Sequence, residues 1–323
     1  ALHSPLNFDV SSLYRIGNFM TKAQAGILAS LPEQGRYVFF TLSGAGAQVS
    51  GALKTLQASI DSTQVVVGLG QQVLQALDTR IAQMHEFPQL KGPEFEVPST
   101  PQALCLWLRG DQRGDLITLT AKLAAMLAPT FTLHHVVDAF VHQRSASGHG
   151  RDLTGYEDGT ENPEDDDAAA AAIAAGQGTG LDGGSFWALQ QWQHDYAVFD
   201  RMPAHEQDHA VGRRRSDNEE LDDAPDSAHV KRTAQESFEP EAFLVRRSMP
   251  WWSVSPQGAD RSGLMFSAFG CSFDAFEAQM RRMLGMDDGI SDALFRFSSP
   301  LTGSYFWCPP VAQGKLNLSA LGM

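Results

Sequence analysis

Hydrophobic and polar positions in the first half of the chain follow two different periods. Short runs rich in apolar and β-branched residues predict strands, and apolar residues spaced three or four apart predict helices. The predicted strands are 36–43, 64–69, 103–108 and 130–137, and the predicted helices are 48–60, 71–77 and 116–127. Apart from the short helix 71–77, this is the strand–helix–strand–strand–helix–strand order of a ferredoxin-like unit.

The second half shows the same order with longer insertions. Its predicted strands are 185–193, 242–248, 263–269 and 294–307, and its predicted helices are 198–211 and 273–284. Two such units facing each other would form a large antiparallel sheet core covered by helices. We therefore predict an α+β protein with an N-terminal domain over 1–147 and a C-terminal domain over 148–323, divided in the Gly-, Ser- and His-rich connector 145–152.

Composition narrows the class of protein and its partners. The chain has 323 residues, 43% of them hydrophobic, which is enough for substantial cores. Its formal net charge of −14 argues against nucleic acid and anionic membranes as partners, and no apolar run is long enough to span a bilayer. Cys105, Cys271 and Cys308 are widely spaced with no C-x-x-C, which predicts free thiols. Residues 1–5 lack the features of a secretory signal, so we expect a cytoplasmic protein.

One nine-residue segment, Gly-Tyr-Glu-Asp-Gly-Thr-Glu-Asn-Pro over 155–163, fits neither a helix nor a strand. Gly155 and Gly159 flank Asp158, and an Asn-Pro pair follows, which is the composition of a shaped loop. Glycines on both sides of an aspartate let the backbone approach a flat or bulky group and hold the carboxylate above it. A plain surface turn is the alternative reading of this segment.

Two further segments downstream favour a functional role for the loop 155–163 over a plain surface turn. Ser-Ala-His-Val-Lys-Arg-Thr over 227–233 contains a lone histidine, and Phe-Leu-Val-Arg-Arg-Ser-Met-Pro over 243–250 ends an apolar run in two arginines. An aspartate loop, a histidine and an arginine that closes a strand are the parts a haem peroxidase needs. Histidine ligates the iron on one side, and an acid/base group and a cation handle peroxide on the other.

Together and in this order, the three segments resemble the dye-decolorising peroxidase family, and most closely its bacterial members with short loops, the P or B subgroup. The resemblance is strong from Asp152 to Pro310 and rests on the pattern of elements before residue 145. It implies a duplicated ferredoxin-like fold with a barrel-like core and haem b in the C-terminal unit. It also implies a reaction in which hydrogen peroxide oxidises the haem to a ferryl state, and dyes, phenols or similar small aromatic donors return it to rest. Several relatives are dimers or larger rings, so a homo-oligomer is expected.

The resemblance assigns the iron's axial ligand to His229. A ligand histidine commonly donates its other N–H to an acceptor, for which Asp292 is the candidate, with a helix-end cap as the alternative. Arg232 is expected either to pair with a haem propionate or to form a surface salt bridge. Other predicted contacts of the cofactor are those of Phe266, Phe269, Gly159 and Thr160, although aromatic residues at the spacing of the two phenylalanines are also typical of plain core.

On the opposite haem face, the resemblance places three catalytic residues. Asp158 would move the peroxide proton between the two oxygens, and Arg246 would keep that carboxylate ionised and stabilise the departing negative charge. Arg247 competes with Arg246 for this role because neighbours on a strand point to opposite faces. Ser248 shares a face with Arg246 and could hold water or peroxide.

Two rival functions remain open from the sequence. The segment from His205 to His209 is an H-E-x-x-H on a predicted helix, which is the signature of zinc metallohydrolases, and Glu219 or Glu220 could supply a third ligand. A protein that handles haem or iron without turnover is the second rival. Asp158 and Arg246 argue against it, because a carrier needs neither.

Overall fold

The computed structural model of the protein describes residues 22–145, 148–254 and 260–323. The N-terminal residues 1–5 and Ser147, at the predicted domain boundary, lie outside these ranges. Within them, no helix combines the length and the apolar character that crossing a membrane requires.

The elements of the first half match the predicted order. The strands are β1 (Gln34–Leu42), β2 (Val65–Leu69), β3 (Leu104–Gly110) and β4 (Phe131–Phe140). The helices are α1 (Ala25–Leu28), α2 (Ala47–Ser59), α3 (Gln71–Ala76) and α4 (Arg113–Leu127). A small hairpin joins Leu90–Lys91 to Glu96–Val97.

The second half contains the remaining strands of the main sheet. They are β5 (Ser185–His194), β6 (Val245–Arg246), β7 (Met249–Val254), β8 (Asp260–Gly270), β9 (Ser298–Pro300) and β10 (Ser304–Cys308). The helices are α5 (Asp165–Ala172), α6 (Tyr196–Phe199), α7 (Ala204–Val211), α8 (His229–Thr233) and α9 (Asp274–Met283). A hairpin of Val311–Ala312 with Lys315–Leu316 and three short 3-10 helices complete the described part.

Eight of these strands close into a barrel-like sheet in which every pair is antiparallel. Their order is β5-β10-β2-β3-β1-β4-β7-β8, and β8 pairs back onto β5 along eight residues, which closes the ring. The short strand β9 adds to β5 and the short strand β6 adds to β8. This arrangement confirms the predicted fold class of duplicated ferredoxin-like units around an antiparallel, barrel-like core.

Three element predictions in the second half differ from the structure. The predicted helix 198–211 is two helices, because Pro203 begins the second one and cannot continue the first. The predicted strand 242–248 shrinks to β6, since Gln235 bonds the backbone N–H groups of Ala242 and Leu244 that a ladder would use. The predicted strand 294–307 splits into a 3-10 helix, β9 and β10, because the Thr302 hydroxyl accepts the N–H of Gln191 in place of a strand partner.

Alternation along the strands divides the core into an interior and an exterior. On β1, Tyr37 and Phe39 belong to the cluster inside the barrel, whereas Val38 and Phe40 pack with the helices outside it. The interior is filled by aromatic rings, and Cys105 and Cys308 are fully buried among them, while Cys271 is exposed. A filled interior leaves the outer face of the barrel as the place for a ligand.

The packed interior predicts the effect of adding one methyl group at Gly68 of β2. A Cβ there would lie 2.7 Å from Phe306 Cβ and 2.8 Å from Trp187 Cε3, so Gly68→Ala should lower the free energy of unfolding by about 1–3 kcal/mol. The matched control is Gly51→Ala in α2, where a Cβ meets nothing within 4 Å and stability should rise by up to about 1 kcal/mol. Urea unfolding measures both, and a Gly68→Ala variant as stable as the parent would contradict the tight packing.

Candidate active site

The candidate site is a cavity on the outer face of the barrel, between β5, β8, α8, α9 and the loop 155–163. The empty space inside it and at its mouth, open solvent included, is about 1160 Å³. Its apolar walls come mainly from β8, α9 and the chain leading to β9: Leu264, Phe266, Met280, Met283, Leu294 and Phe297. A flat, largely apolar ligand would be buried between these walls.

His229 enters this cavity from the first position of α8. Its Nδ1 lies 2.7 Å from Asp292 Oδ2, and Asp292 is only 1% exposed. Because an ionised carboxylate can only accept, Nδ1 carries the proton and donates, which leaves the lone pair of Nε2 available for a metal. The other carboxylate oxygen, Asp292 Oδ1, accepts the N–H of Leu294 at 2.8 Å and caps the 3-10 helix. Both contacts considered for Asp292 are therefore present in the same side chain.

Asp158 and Arg246 line the same cavity from other elements. Burial raises the pKa of Asp158 above its ordinary value, the charge of Arg246 opposes this, Asp152 raises the pKa further, and His229 lowers it. The charges of the Arg246 guanidinium and the His229 imidazole therefore both act on the pKa of this carboxylate. The structure thus brings His229, Asp158 and Arg246 into one electrostatic environment.

The backbone of the loop explains how Asp158 reaches the cavity. Gly155 and Gly159 have φ angles of +93° and +91°, which favour glycine over residues with a Cβ. Between them, Asp158 N donates to Gly150 O at 3.0 Å, and the loop is paired with the preceding chain by the bridge between Arg151 and Glu157. The two glycines therefore do what the sequence indicated and fix the aspartate in a shaped loop.

The two neighbouring arginines have different surroundings. Arg246 lines the cavity, and its Nε has no hydrogen-bond partner within the described ranges. The Nε of Arg247 likewise has no partner there, but its two terminal nitrogens donate to Leu28 O at 2.8 Å and to Arg246 O at 3.1 Å. Burial lowers the pKa of Arg247 to about 10, and the charge of Arg109 contributes to the shift. This placement favours Arg246 over Arg247 as the cation of the site.

A second cavity of about 1450 Å³, including its mouth, adjoins the first. Asp158, Arg246 and Leu264 line both cavities, whereas Arg247 and Ser248 line the second one alone. The Ser248 hydroxyl is buried and has no hydrogen-bond partner among the residues that the structure describes. The second cavity therefore gives access to Asp158, Arg246 and the Ser248 hydroxyl.

The other predicted cofactor contacts divide into two groups. Gly159, Thr160 and Phe266 line the first cavity. Arg232 does not line it: its guanidinium contacts both carboxylate oxygens of Asp288, at 2.7 and 2.9 Å, and also donates to Arg282 O. The salt-bridge alternative for Arg232 is thus the one seen, although the arginine is buried rather than on the surface.

Phe269 also lies away from the cavity. It is fully buried inside the barrel, with its ring stacked on those of Trp187 and Trp107 at centroid distances of 5.3 and 6.3 Å. Phe266 and Phe269 are three positions apart on a strand and so face opposite sides of the sheet. The plain-core reading therefore describes Phe269, and Phe266 is the member of the pair at the cavity.

Sequence reasoning missed a polar chain in the cavity wall. His194 Nδ1 lies 2.8 Å from Ser298 Oγ, and His194 Nε2 lies 3.2 Å from Asp152 Oδ1. Burial acts to raise the pKa of Asp152, but the charge and hydrogen bond of His194 and two bonds from Thr154 outweigh it and lower the pKa to about 2. The available signal was the polar run Gln190 and His194 on alternate positions of a buried strand, which places both on the cavity face.

The H-E-x-x-H motif lies on α7, and none of its residues lines either cavity. His209 Nε2 is 3.4 Å from Asp223 Oδ2, and Glu220 pairs with Arg213. Within the described parts of the chain, no three histidine, cysteine or carboxylate side chains are placed to hold a metal ion together. The described residues around the motif therefore offer no third ligand for the zinc site of a metallohydrolase.

Comparison with known proteins gives a consistent family. The family described as Dyp-type peroxidase, C-terminal, matches residues 149–313, about half of the chain. The chain is 27% identical over 299 residues to a dye-decolorizing peroxidase of Rhodococcus erythropolis, covering 88% of this chain and 85% of the relative. It is 26% identical over 300 residues to a dye-decolorizing peroxidase of Mycobacterium tuberculosis, covering 90% of this chain and 86% of the relative.

Solved structures of similar shape carry related names. A dye-decolorizing protein from Vibrio cholerae superposes with a TM-score of 0.76 at 26% identity, covering 92% of this chain and 98% of that one. A DypB variant from Rhodococcus jostii, solved in complex with haem, superposes with a TM-score of 0.74 at 26% identity, covering 87% of this chain and 94% of that one. The similarity therefore extends over both halves of the fold.

The raised pKa of Asp158 predicts a pH-dependent cost in stability. Because burial favours the protonated form in the folded protein, the stability from this group is full below its unfolded pKa and is lost as pH rises through the higher folded pKa. Asp158→Asn, which is never charged, should therefore raise the melting temperature of the cofactor-free protein at pH 7. The gain should vanish near pH 3, below the ordinary aspartate pKa of about 3.9.

Calorimetry at several pH values tests this effect. The matched control is Asp217→Asn, because Asp217 is exposed and its pKa is lowered, first by the backbone N–H of Glu219, so the control should not gain stability at pH 7. An Asp158→Asn variant that melts at or below the parent temperature at pH 7 would show that the charged Asp158 carboxylate does not destabilise the folded protein.

Proposed function

The chain belongs to the Dyp-type peroxidase family, and on that premise we propose that it binds haem b and uses hydrogen peroxide to oxidise dyes, phenols or similar small donors. The observation that carries the proposal is the arrangement around one apolar cavity. His229, with Nδ1 tied to a buried carboxylate, enters from α8, while Asp158 and Arg246 enter from a loop and a strand. A structural neighbour was solved in complex with haem, which supports haem as the ligand of this cavity.

His229 is the residue that would hold the iron, through Nε2. The hydrogen bond from Nδ1 to Asp292 fixes the tautomer and the orientation of the ring, and it makes the imidazole a stronger donor. The walls from Phe266, Met280 and Leu294 would exclude water from the faces of the porphyrin. Bound haem would supply the two-electron reduction of peroxide and the one-electron oxidation of donors.

Asp158 and Arg246 would handle the peroxide. The Asp158 carboxylate would take the proton from one peroxide oxygen and deliver it to the other. It must be ionised to do so, and the charge of Arg246 opposes the rise in its pKa that burial causes. The Arg246 guanidinium would also stabilise the negative charge that develops on the departing oxygen. A carrier that only stores haem would need neither group.

The second cavity supports a route for peroxide to these residues. It reaches Asp158 and Arg246 from the side of the barrel, and the free Ser248 hydroxyl in its wall is available to hold water or peroxide. The dye and phenol donors are proposed from the names of the relatives. The cytoplasmic location and the homo-oligomeric state stay predictions.

Replacement of the ligand tests the cofactor. His229→Ala should abolish stoichiometric binding of hemin and the Soret band, because the remaining wall residues offer no iron ligand at that position. The control is His209→Ala, a histidine of the H-E-x-x-H motif that lines neither cavity, and it should bind hemin like the parent. Spectral titration with hemin and the iron-to-zinc ratio of the purified protein measure the outcome. A parent that refuses hemin and retains zinc would favour the metallohydrolase.

Replacement of the two arginines tests the catalytic assignment. Arg246→Ala should slow the reaction of the loaded protein with hydrogen peroxide by about a hundredfold to a thousandfold, the usual loss when a transition-state charge partner is removed. Arg247→Ala should slow it far less, since Arg247 bonds backbone carbonyls and lies outside the first cavity. Stopped-flow absorbance at the Soret band gives both rate constants. Equal losses in the two variants, or no loss in the first, would contradict the role of Arg246.

A further inference from the structure

Asn162, in the loop that carries Asp158, bonds both backbone groups of Arg246. Asn162 Nδ2 donates to Arg246 O at 3.0 Å, and Arg246 N donates to Asn162 Oδ1 at 2.7 Å. One side-chain amide thus satisfies the donor and the acceptor of the arginine as a neighbouring strand would. The loop of the proposed proton carrier and the strand of the proposed cation are joined at this point.

The position of Arg246 in the sheet explains why its backbone is free for this contact. It lies on the two-residue strand β6, where it is paired with Ala268 of β8, and Arg247 N donates to Ser267 O at 2.7 Å. In an antiparallel ladder the bonds fall on alternate residues, so the N–H and C=O of Arg246 face away from β8. Without Asn162 the Arg246 N–H would be an unpaired strand-edge donor, and the C=O would keep only the contact from the Arg247 guanidinium at 3.1 Å.

The side chain of Arg246 depends on this backbone contact for its position. Its Nε has no hydrogen-bond partner in the described part of the chain, so this end of the guanidinium is not held by the protein. Its influence on Asp158 is electrostatic and falls with distance. A shift of the backbone of Arg246 would therefore be carried directly to the guanidinium.

The loop fixes Asn162 as firmly as it fixes Asp158. Gly159, which directly follows Asp158, accepts the N–H of Asn162 at 3.1 Å, and a Cβ on this glycine would lie 3.2 Å from Asn162 Nδ2. One turn therefore sets both side chains. Gln235 adds a neighbouring link between the same two segments, since its Nε2 donates to Glu161 O and its Oε1 accepts from Leu244 N.

We propose that Asn162 is a positioning residue, whose amide sets the distance between the Asp158 carboxylate and the Arg246 guanidinium and thereby the rate of the peroxide step. This inference rests on the proposed function. Asn162 contacts neither peroxide nor cofactor in this role, and it acts through the backbone of Arg246. Because displacements of about 1 Å can cost a hundredfold in rate, a single amide at this junction is sufficient to matter.

The chain offers a matched control for the test. Gln24 makes the same two contacts with one residue elsewhere: its Oε1 accepts from Val67 N at 2.7 Å and its Nε2 donates to Val67 O at 2.9 Å. Its Nε2 also donates to Pro309 O at 3.0 Å. Gln24 is fully buried and lines neither cavity. Asn162→Asp and Gln24→Glu therefore make the same chemical change, because a carboxylate keeps the acceptor and loses the donor. Asn162→Ala removes both bonds to Arg246, Gln24→Ala removes all three bonds of Gln24, and this pair serves if a buried carboxylate prevents folding.

Two measurements are expected to separate positioning from general destabilisation. In the haem-loaded protein, both Asn162 substitutions should lower the rate constant for the reaction with hydrogen peroxide by about tenfold to a hundredfold. The rate of the one-electron oxidation of a phenol donor should stay at the parent value. The Gln24 variants should lose stability but keep the peroxide rate constant within about twofold. In the cofactor-free protein, hydrogen exchange at the Arg246 amide should be faster in Asn162→Ala, which removes the acceptor of that N–H, than in the parent and in the Gln24 variants.

The outcomes also distinguish this inference from the proposed function. Peroxide rate constants that fall equally in the Asn162 and Gln24 variants, or parent-like rate constants in the Asn162 variants, would overturn the positioning role. A parent protein that binds no hemin or does not react with peroxide would overturn the proposed function instead. Unchanged exchange at the Arg246 amide in Asn162→Ala would then overturn the contact itself, since that measurement needs no cofactor.

Discussion

The hydrogen bond between His229 and the buried Asp292 carboxylate is the contact on which the site depends. A carboxylate without solvent is tolerated in a protein when its lone pairs are used, and here one oxygen accepts from the imidazole while the other accepts from the backbone of Leu294. With Nδ1 donating to Asp292, Nε2 is the ring nitrogen left for a ligand in the cavity that His229 lines. The proposed chemistry of this cavity follows from that one choice of tautomer.

Asp158 and Arg246, which line the same cavity, follow a different constraint, because both are partly buried beside each other. Asp158 has its pKa raised by burial, and the guanidinium of Arg246 acts against this shift. Neither group is held by a dense set of bonds, so their mutual position depends on how the loop and the strand are joined. The charged forms of such side chains would have a lower free energy in water than in the cavity. The favourable free energy of packing in the filled barrel offsets this cost.

Much of the fold could be predicted from periodicity, because alternate burial on strands such as β1 and three-to-four spacing in α4 are local signals. The candidate residues His229, Asp158 and Arg246 lie in unusual local sequences, which is why they could be singled out, and Gly159, Thr160 and Phe266 do line the cavity. Features that depend on distant partners could not be predicted in this way. The bonds of Gln235 that shorten β6, the Asp288 partner of Arg232, and the side of the sheet on which Phe269 lies are set by tertiary contacts that no local pattern contains.

The placement of the cysteines has a consequence for an enzyme that works with an oxidant. Burial raises the pKa of the Cys105 and Cys308 thiols well above the ordinary value, and both lie inside the barrel, away from the two cavities. Since the thiolate is the form that attacks peroxide, these buried thiols stay in the unreactive protonated form among the aromatic side chains. Burial raises the pKa of Cys271 as well, but this thiol is exposed and open to peroxide from solvent. Oxidation of cysteine during turnover should therefore begin at the surface of the molecule and not in its core.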